Sequence, residues 1–153
     1  MSSPEEVWMN LIKRDGLTPH ETAASSFSAL KPVTADFLTR GKGEWQGGEI
    51  NTGHPARHLL TEMNWAGKVF RSAEDVDPVI VYDEAGKRKW NPDWGRARLR
   101  EIKFQDRNTV AMVYDDFPII DFFKYVSEDV VAGAMDSKTH NSDGIFYFYL
   151  KRL

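Results

Sequence analysis

Three side chains combine a reactive type with a setting that could move protons or hold a polar ligand: Asp121, His54 and Tyr114. Asp121 falls in a two-residue alternation with Ile119, Phe123 and Tyr125, which places its carboxyl on the apolar face of a predicted strand. Burial there raises an aspartate's pKa unless a cation or hydrogen-bond donors offset it, so a partner is expected from Lys68, Arg98 or Arg100. Facing a cavity, such a pair could anchor a ligand's polar head or exchange a proton with a substrate. At a barrel mouth, or with Asp121 turned to solvent, it would be structural. His54 stands directly before Pro55 and a predicted helix. A neutral imidazole there could serve as general base, ligand contact or metal ligand, while the plainer role is to cap the local turn. Tyr114 ends a strand-like run, and a buried phenol wants a hydrogen-bond partner.

Around these groups the chain is rich in aromatic side chains, 12% of its residues. Aromatics mixed with a few polar tips either fill a barrel solidly or line a pocket for an apolar or conjugated small molecule. The set expected to line such a pocket is Trp45, Trp65, Lys68, Arg98, Met112, Phe123, Met135, Tyr147 and Tyr149. No metal or cofactor is expected. His54 and His58 are four apart, but Pro55 makes a shared helical face borderline. Asp115, Asp116, Asp136 and Asp143 fall at turns, where aspartate satisfies backbone groups, and no calcium-loop pattern occurs. His20 and His140, in a predicted helix and a polar loop, are expected to be solvated. Few histidines fall on predicted strands, which disfavours an axial haem ligand. Phosphate-binding glycine loops, a nucleophile elbow and the zinc-protease helix motif are missing, so hydrolase and nucleotide-enzyme chemistry lose their usual support.

The segment Gly43-Glu44-Trp45-Gln46-Gly47 sets an indole between glycines at the start of a predicted strand. Glycines there allow a sharp bend and close strand approach, while the indole plugs one end of what the sheet encloses. Further pieces are Gly53-His54-Pro55, Trp65-Ala66-Gly67-Lys68, Arg98-Leu99-Arg100, Met112-Val113-Tyr114-Asp115, Pro118-Ile119-Ile120-Asp121, Met135-Asp136 and Phe146-Tyr147-Phe148-Tyr149-Leu150. Together they resemble the GXWXG family, in which a barrel-like domain is followed by a segment classed as a domain of unknown function. The resemblance spans roughly residues 34 to 152. It implies a lipocalin-like barrel with a pocket and carries no established reaction.

The chain has 153 residues, no cysteine and a formal charge of -3. That length supports a single core. The charge gives no basic footprint for nucleic acid, and no apolar stretch approaches the ~20 residues of a membrane helix. Without cysteine there is no disulfide framework or thiol nucleophile, and the start lacks a basic-then-apolar leader, so a cytoplasmic protein is expected. The expected partner is a small hydrophobic ligand or substrate, with homodimerisation left open.

The elements that must position these groups follow from pattern. Ser3-Pro4-Glu5-Glu6 opens a helix with Val7, Trp8, Leu11 and Ile12 as its stripe. Thr18 with Glu21 reads as a capping box opening a second helix to about Leu30. These form an arm, residues 1–33, packed on or across a barrel of residues 34–153. A short helical turn at 35–39, the tryptophan strand and a helix at 56–64 follow. From Trp65 the period becomes two, with runs at 67–71, 78–82, 87–90, 97–104, 109–114, 119–126, 130–135 and 145–152. Close-spaced runs of this kind form an antiparallel meander that closes to hide its edges. The fold expected is mainly β: an antiparallel barrel with N-terminal helices and one helix after the first strand. The function expected is binding of a small lipophilic or aromatic molecule, with an isomerase or cyclase using Asp121, His54 or Tyr114 as the alternative.

Overall fold

The computed structural model describes residues 1–153, apart from the side chain of Asn141. Ten strands and four α-helices run in the order α1 (Pro4–Lys13), α2 (His20–Ala29), β1 (Lys31–Pro32), α3 (Ala35–Thr39), β2 (Glu44–Glu49), α4 (Ala56–Glu62), β3 (Trp65–Ser72), β4 (Asp75–Tyr82), β5 (Arg88–Trp90), β6 (Ala97–Phe104), β7 (Arg107–Tyr114), β8 (Ile119–Ser127), β9 (Val130–Ser137) and β10 (Phe146–Arg152). Two short 3-10 segments, Pro92–Trp94 and Lys138–Asp143, precede β6 and β10.

The strands close into an antiparallel ring, β8-β7-β6-β4-β3-β2-β10-β9, with β9 returning to β8. Closure leaves β1 as a short addition beside β8 and β5 as one beside β4. The seam is thinnest between β4 and β6, where Val76 and Ala97 form the one register pair. Because side chains alternate across a strand, each strand has an inner and an outer set. The inner set includes Phe70, Leu99, Met112, Phe123, Val131 and Leu150, which fill the middle of the barrel. The outer sets of β7 to β10 contribute Ala111, Phe122, Val126, Ala134 and Tyr147 to a second core beneath α1 and α2.

Trp45 closes the floor. Its ring is fully buried, and its indole N–H donates to the Leu38 carbonyl at 2.9 Å. The Arg152 guanidinium lies 4.3 Å from its centre, over the ring face. Gly67, at φ +140°, faces the Trp45 carbonyl so closely that a Cβ would overlap it. That close approach accounts for the glycine in the Trp65-Ala66-Gly67-Lys68 segment.

α1 and α2 pack against the outside of the wall, so they are an arm and not a lid across the opening. α1 starts on Ser3, whose hydroxyl accepts from the Glu6 amide at 3.2 Å. The capping box expected at Thr18 does not form. α2 begins at His20 with Pro19 as cap and no side-chain cap bond, while the buried Thr18 donates its amide to the Asn51 carbonyl at 2.7 Å. Docking of Thr18 onto the segment after β2 wins over a local cap.

Candidate functional site

The end of the barrel opposite Trp45 holds a cavity of about 250 Å³. Its wall is built by the starts of β3, β8 and β10 and the ends of β7 and β9, and α4 and the 138–143 segment rim it. α4 turns Leu60 and Met63 inward, as its apolar spacing requires, while Trp65, Phe146 and Phe148 supply aromatic wall. Trp94 and Phe117, their rings tilted at 38° with centres 5.0 Å apart, also line the cavity.

One ion pair interrupts this apolar surface. Lys68 Nζ lies 3.1 Å from Asp121 Oδ2 and donates to the Pro78 carbonyl at 2.8 Å. Lys68 is 3% exposed and Asp121 1%, so both charges are withdrawn from water. Nζ also stands 5.4 to 5.8 Å from the ring centres of Phe148, Trp65 and Tyr114, leaving its third N–H to ring faces. Burial pushes the Asp121 carboxyl up and the Lys68 ammonium down, each opposed by its partner's charge. Asp121 Oδ1 has no hydrogen-bond partner among the described residues, and neither does Ser137 Oγ, which is also buried and also lines the cavity. Tyr114 lies in the same wall, its phenol pushed well up first by burial and then by the Asp121 charge.

The cavity thus gathers Asp121, Tyr114, Trp65, Lys68 and Met135 from the residues expected at a site. The others lie elsewhere. Trp45 is at the floor. Met112 and Phe123 are inside the barrel but below the cavity, in solid packing such as the Phe70–Phe123 edge contact at 5.7 Å. Tyr147 points outward beneath the arm, 5.8 Å from Phe27, where burial pushes its phenol up to about 12. Tyr149 shares that outer face. Arg98 is on the outside of β6, half-exposed and 3.4 Å from Asp115, and Arg100 pairs with Glu74 at 2.6 Å. Both arginines alternate with inward Ala97 and Leu99, so neither can reach Asp121.

His54 sits behind the rim. The Ala56 amide donates to its Nδ1 at 3.1 Å, and its Nε2–H donates to the Gly144 carbonyl at 3.1 Å. The neutral tautomer with hydrogen on Nε2 satisfies both contacts, and both ring nitrogens are thereby occupied. His54 thus ties the start of α4 to the turn before β10, 5.4 Å from Phe146. Burial lowers its pKa against the Gly144 bond. His140, expected in solvent, instead lines the rim 5.8 Å from His54. Ser137 lies beyond the run legible in the sequence, which the polar Asp136 brings to a stop at Met135. The alternation Val131, Gly133, Met135 carries on to it, since β9 extends through Ser137.

The fold and site define a closed antiparallel β-barrel with a small apolar cavity at one end and a buried charged pair in its wall. The chain belongs to the GXWXG family: residues 25–86 match the family described as GXWXG protein, and residues 95–152 match the Domain of unknown function (DUF4334). It is similar over 99% of its length, and 99% of the other chain, to a structure described as a protein from Thermomonospora curvata, with 34% identity and a TM-score of 0.90. No curated protein matches the chain. No helix is long and apolar enough to cross a membrane.

Proposed function

We propose that the protein binds a small lipophilic or aromatic molecule in the mouth cavity, with the ligand's polar end against the Lys68–Asp121 pair. The observation that carries this is the unpartnered Asp121 Oδ1 in a mainly apolar wall. Withdrawing two charges from water costs several kcal/mol per ion, and packed apolar side chains would stabilise the barrel as well or better. A ligand donor meeting Oδ1 is a use that offsets this cost. An engineered cavity of ~150 Å³ accepts benzene, so about 250 Å³ suits a body of one or two rings. Naphthalene is the simplest probe. It should quench Trp65 and Trp94 saturably, and Met135→Trp, which fills the cavity, should weaken that binding tenfold or more. Unchanged fluorescence in the parent protein would reject the proposal.

A second reading uses the same pocket as an isomerase or cyclase, and the raised Asp121 pKa beside Tyr114 favours it. Asp121 would take a proton from the carbon between the carbonyl and the double bond of a β,γ-unsaturated ketone and return one at the γ carbon. One C–H bond breaks and another forms, the double bond moves, and no electrons enter or leave. Asp121→Asn separates the readings because it keeps shape while removing basicity. Conversion of a β,γ-unsaturated cyclohexenone to its conjugated isomer should fall by roughly 10²–10⁴-fold if Asp121 is the base. A carrier shows no such conversion above buffer, and Asp121→Asn costs it only the charge-assisted bond, about 1.5–3 kcal/mol.

A further inference from the structure

Two buried polar atoms in the cavity wall have no partner among the described residues, Asp121 Oδ1 and Ser137 Oγ, and the residues are 1% and 3% exposed. They stand on neighbouring strands. The β8–β9 register sets Asp121 opposite Met135 and Ile119 opposite Ser137, so Asp121 and Ser137 are diagonal neighbours on the inner face. Such a diagonal separates Cβ atoms by somewhat less than ~7–8 Å. One oxygen making two hydrogen bonds spans about 4.5 Å between its partners at a tetrahedral angle and about 5.5 Å at most, so a single ligand oxygen can serve a carboxyl and a hydroxyl set on such a diagonal.

The chemistry of the two atoms fixes what that oxygen must be. An ionised carboxylate oxygen only accepts, so the ligand must donate to Asp121; the Ser137 hydroxyl can donate back to the same atom. A ketone or ether supplies no donor. A carboxylate head would meet Asp121 as a like charge. An ammonium head would be buried against Lys68, whose charge, 3.1 Å away, already balances Asp121. A neutral hydroxyl fits all three constraints. The apolar wall and the cavity of about 250 Å³ then set the rest of the molecule at one or two rings.

We infer that the ligand is a neutral, compact, lipophilic alcohol or phenol whose hydroxyl donates to Asp121 Oδ1 and accepts from Ser137 Oγ. This deepens the binding reading and rests on it.

The test uses three molecules on one skeleton: indane, its benzylic alcohol and its benzylic ketone, titrated into the full chain by tryptophan quenching. The alcohol should bind roughly tenfold or more tightly than either indane or the ketone, the margin of a hydrogen bond to a charged acceptor. Ser137→Ala should reduce that preference, read as the ratio of alcohol to indane affinity so that any change common to both ligands cancels, by about threefold or more. If the three bind within threefold of one another, the alcohol inference is overturned and the apolar pocket stands. A preference that survives Ser137→Ala intact overturns the bridging geometry. If none of the three binds and naphthalene also fails, the pocket reading falls and takes this inference with it.

Discussion

Lys68 and Asp121 behave as one unit, and their energetics separate a structural ion pair from one retained for a ligand. Removing one partner strands a buried charge, which typically costs 3–5 kcal/mol, whereas replacing both with apolar groups of similar volume is often neutral or stabilising. Lys68→Met and Asp121→Leu should therefore each lower the unfolding free energy by about 3–5 kcal/mol in urea titrations. The double variant should recover most or all of that loss while binding no alcohol more tightly than the hydrocarbon. A double variant as unstable as the sum of the singles would mean that the pair supports the fold. Asp121 was legible in the sequence because alternation with Ile119 and Phe123 already puts it inside. Its choice of Lys68 over Arg98 and Arg100 was not, since that depends on which strands become neighbours across the closed ring.

At the scale of elements, the cavity is rimmed by pieces held together at His54. α4 begins on the amide bonded to its Nδ1, and the turn before β10 ends on the carbonyl bonded to its Nε2–H. Protonating Nδ1 would remove the acceptor for the Ala56 amide. Burial lowers the folded pKa below the ordinary histidine value, with His140 and His20 lowering it further and the Gly144 bond and Asp143 raising it. The unfolded chain therefore binds the proton more readily. The stabilisation from neutral His54 is complete above about pH 6.5 and is lost as pH falls from there through the folded pKa. Stability should drop across that window with a slope of at most about 1.4 kcal/mol per pH unit. His54→Gln, which does not titrate, should flatten it in melts from pH 7 to 5. An unchanged slope would assign the acid sensitivity to other groups. The helix and strands of this rim follow from periodicity and turn residues, but the 138–143 segment reads as a polar loop. Its return over the cavity is dictated by tertiary contact between His140 and His54, which no local pattern reports.

At the scale of the whole molecule, one wall of the barrel is shared between two cores. The inner faces of β7 to β10 line the interior and cavity, while their outer faces are apolar and covered by α1 and α2. Trp8 is the largest side chain in that cover; it is fully buried and makes edge contacts with Phe27 at 6.1 Å and Tyr147 at 6.5 Å. Its indole N–H has no partner among the described residues, so removing it loses packing but no hydrogen bond. Trp8→Ala should thus cost about 3–5 kcal/mol, toward the lower end. If arm and barrel unfold as one unit, that cost falls on the whole transition. At ~2–4 °C per kcal/mol for a domain of this size, the melting temperature should drop by roughly 6–20 °C. Far-ultraviolet circular dichroism and tryptophan fluorescence should still report a single coincident transition. Naphthalene affinity measured well below that transition should stay within threefold, because Trp8 packs on outer side chains of the wall such as Tyr147, which alternate with the inner ones that line the cavity. Two separated transitions, or an unmoved main transition, would mean that residues 1–33 fold apart from the barrel. Weakened ligand binding at full foldedness would mean that packing outside the wall sets the shape of the cavity within it.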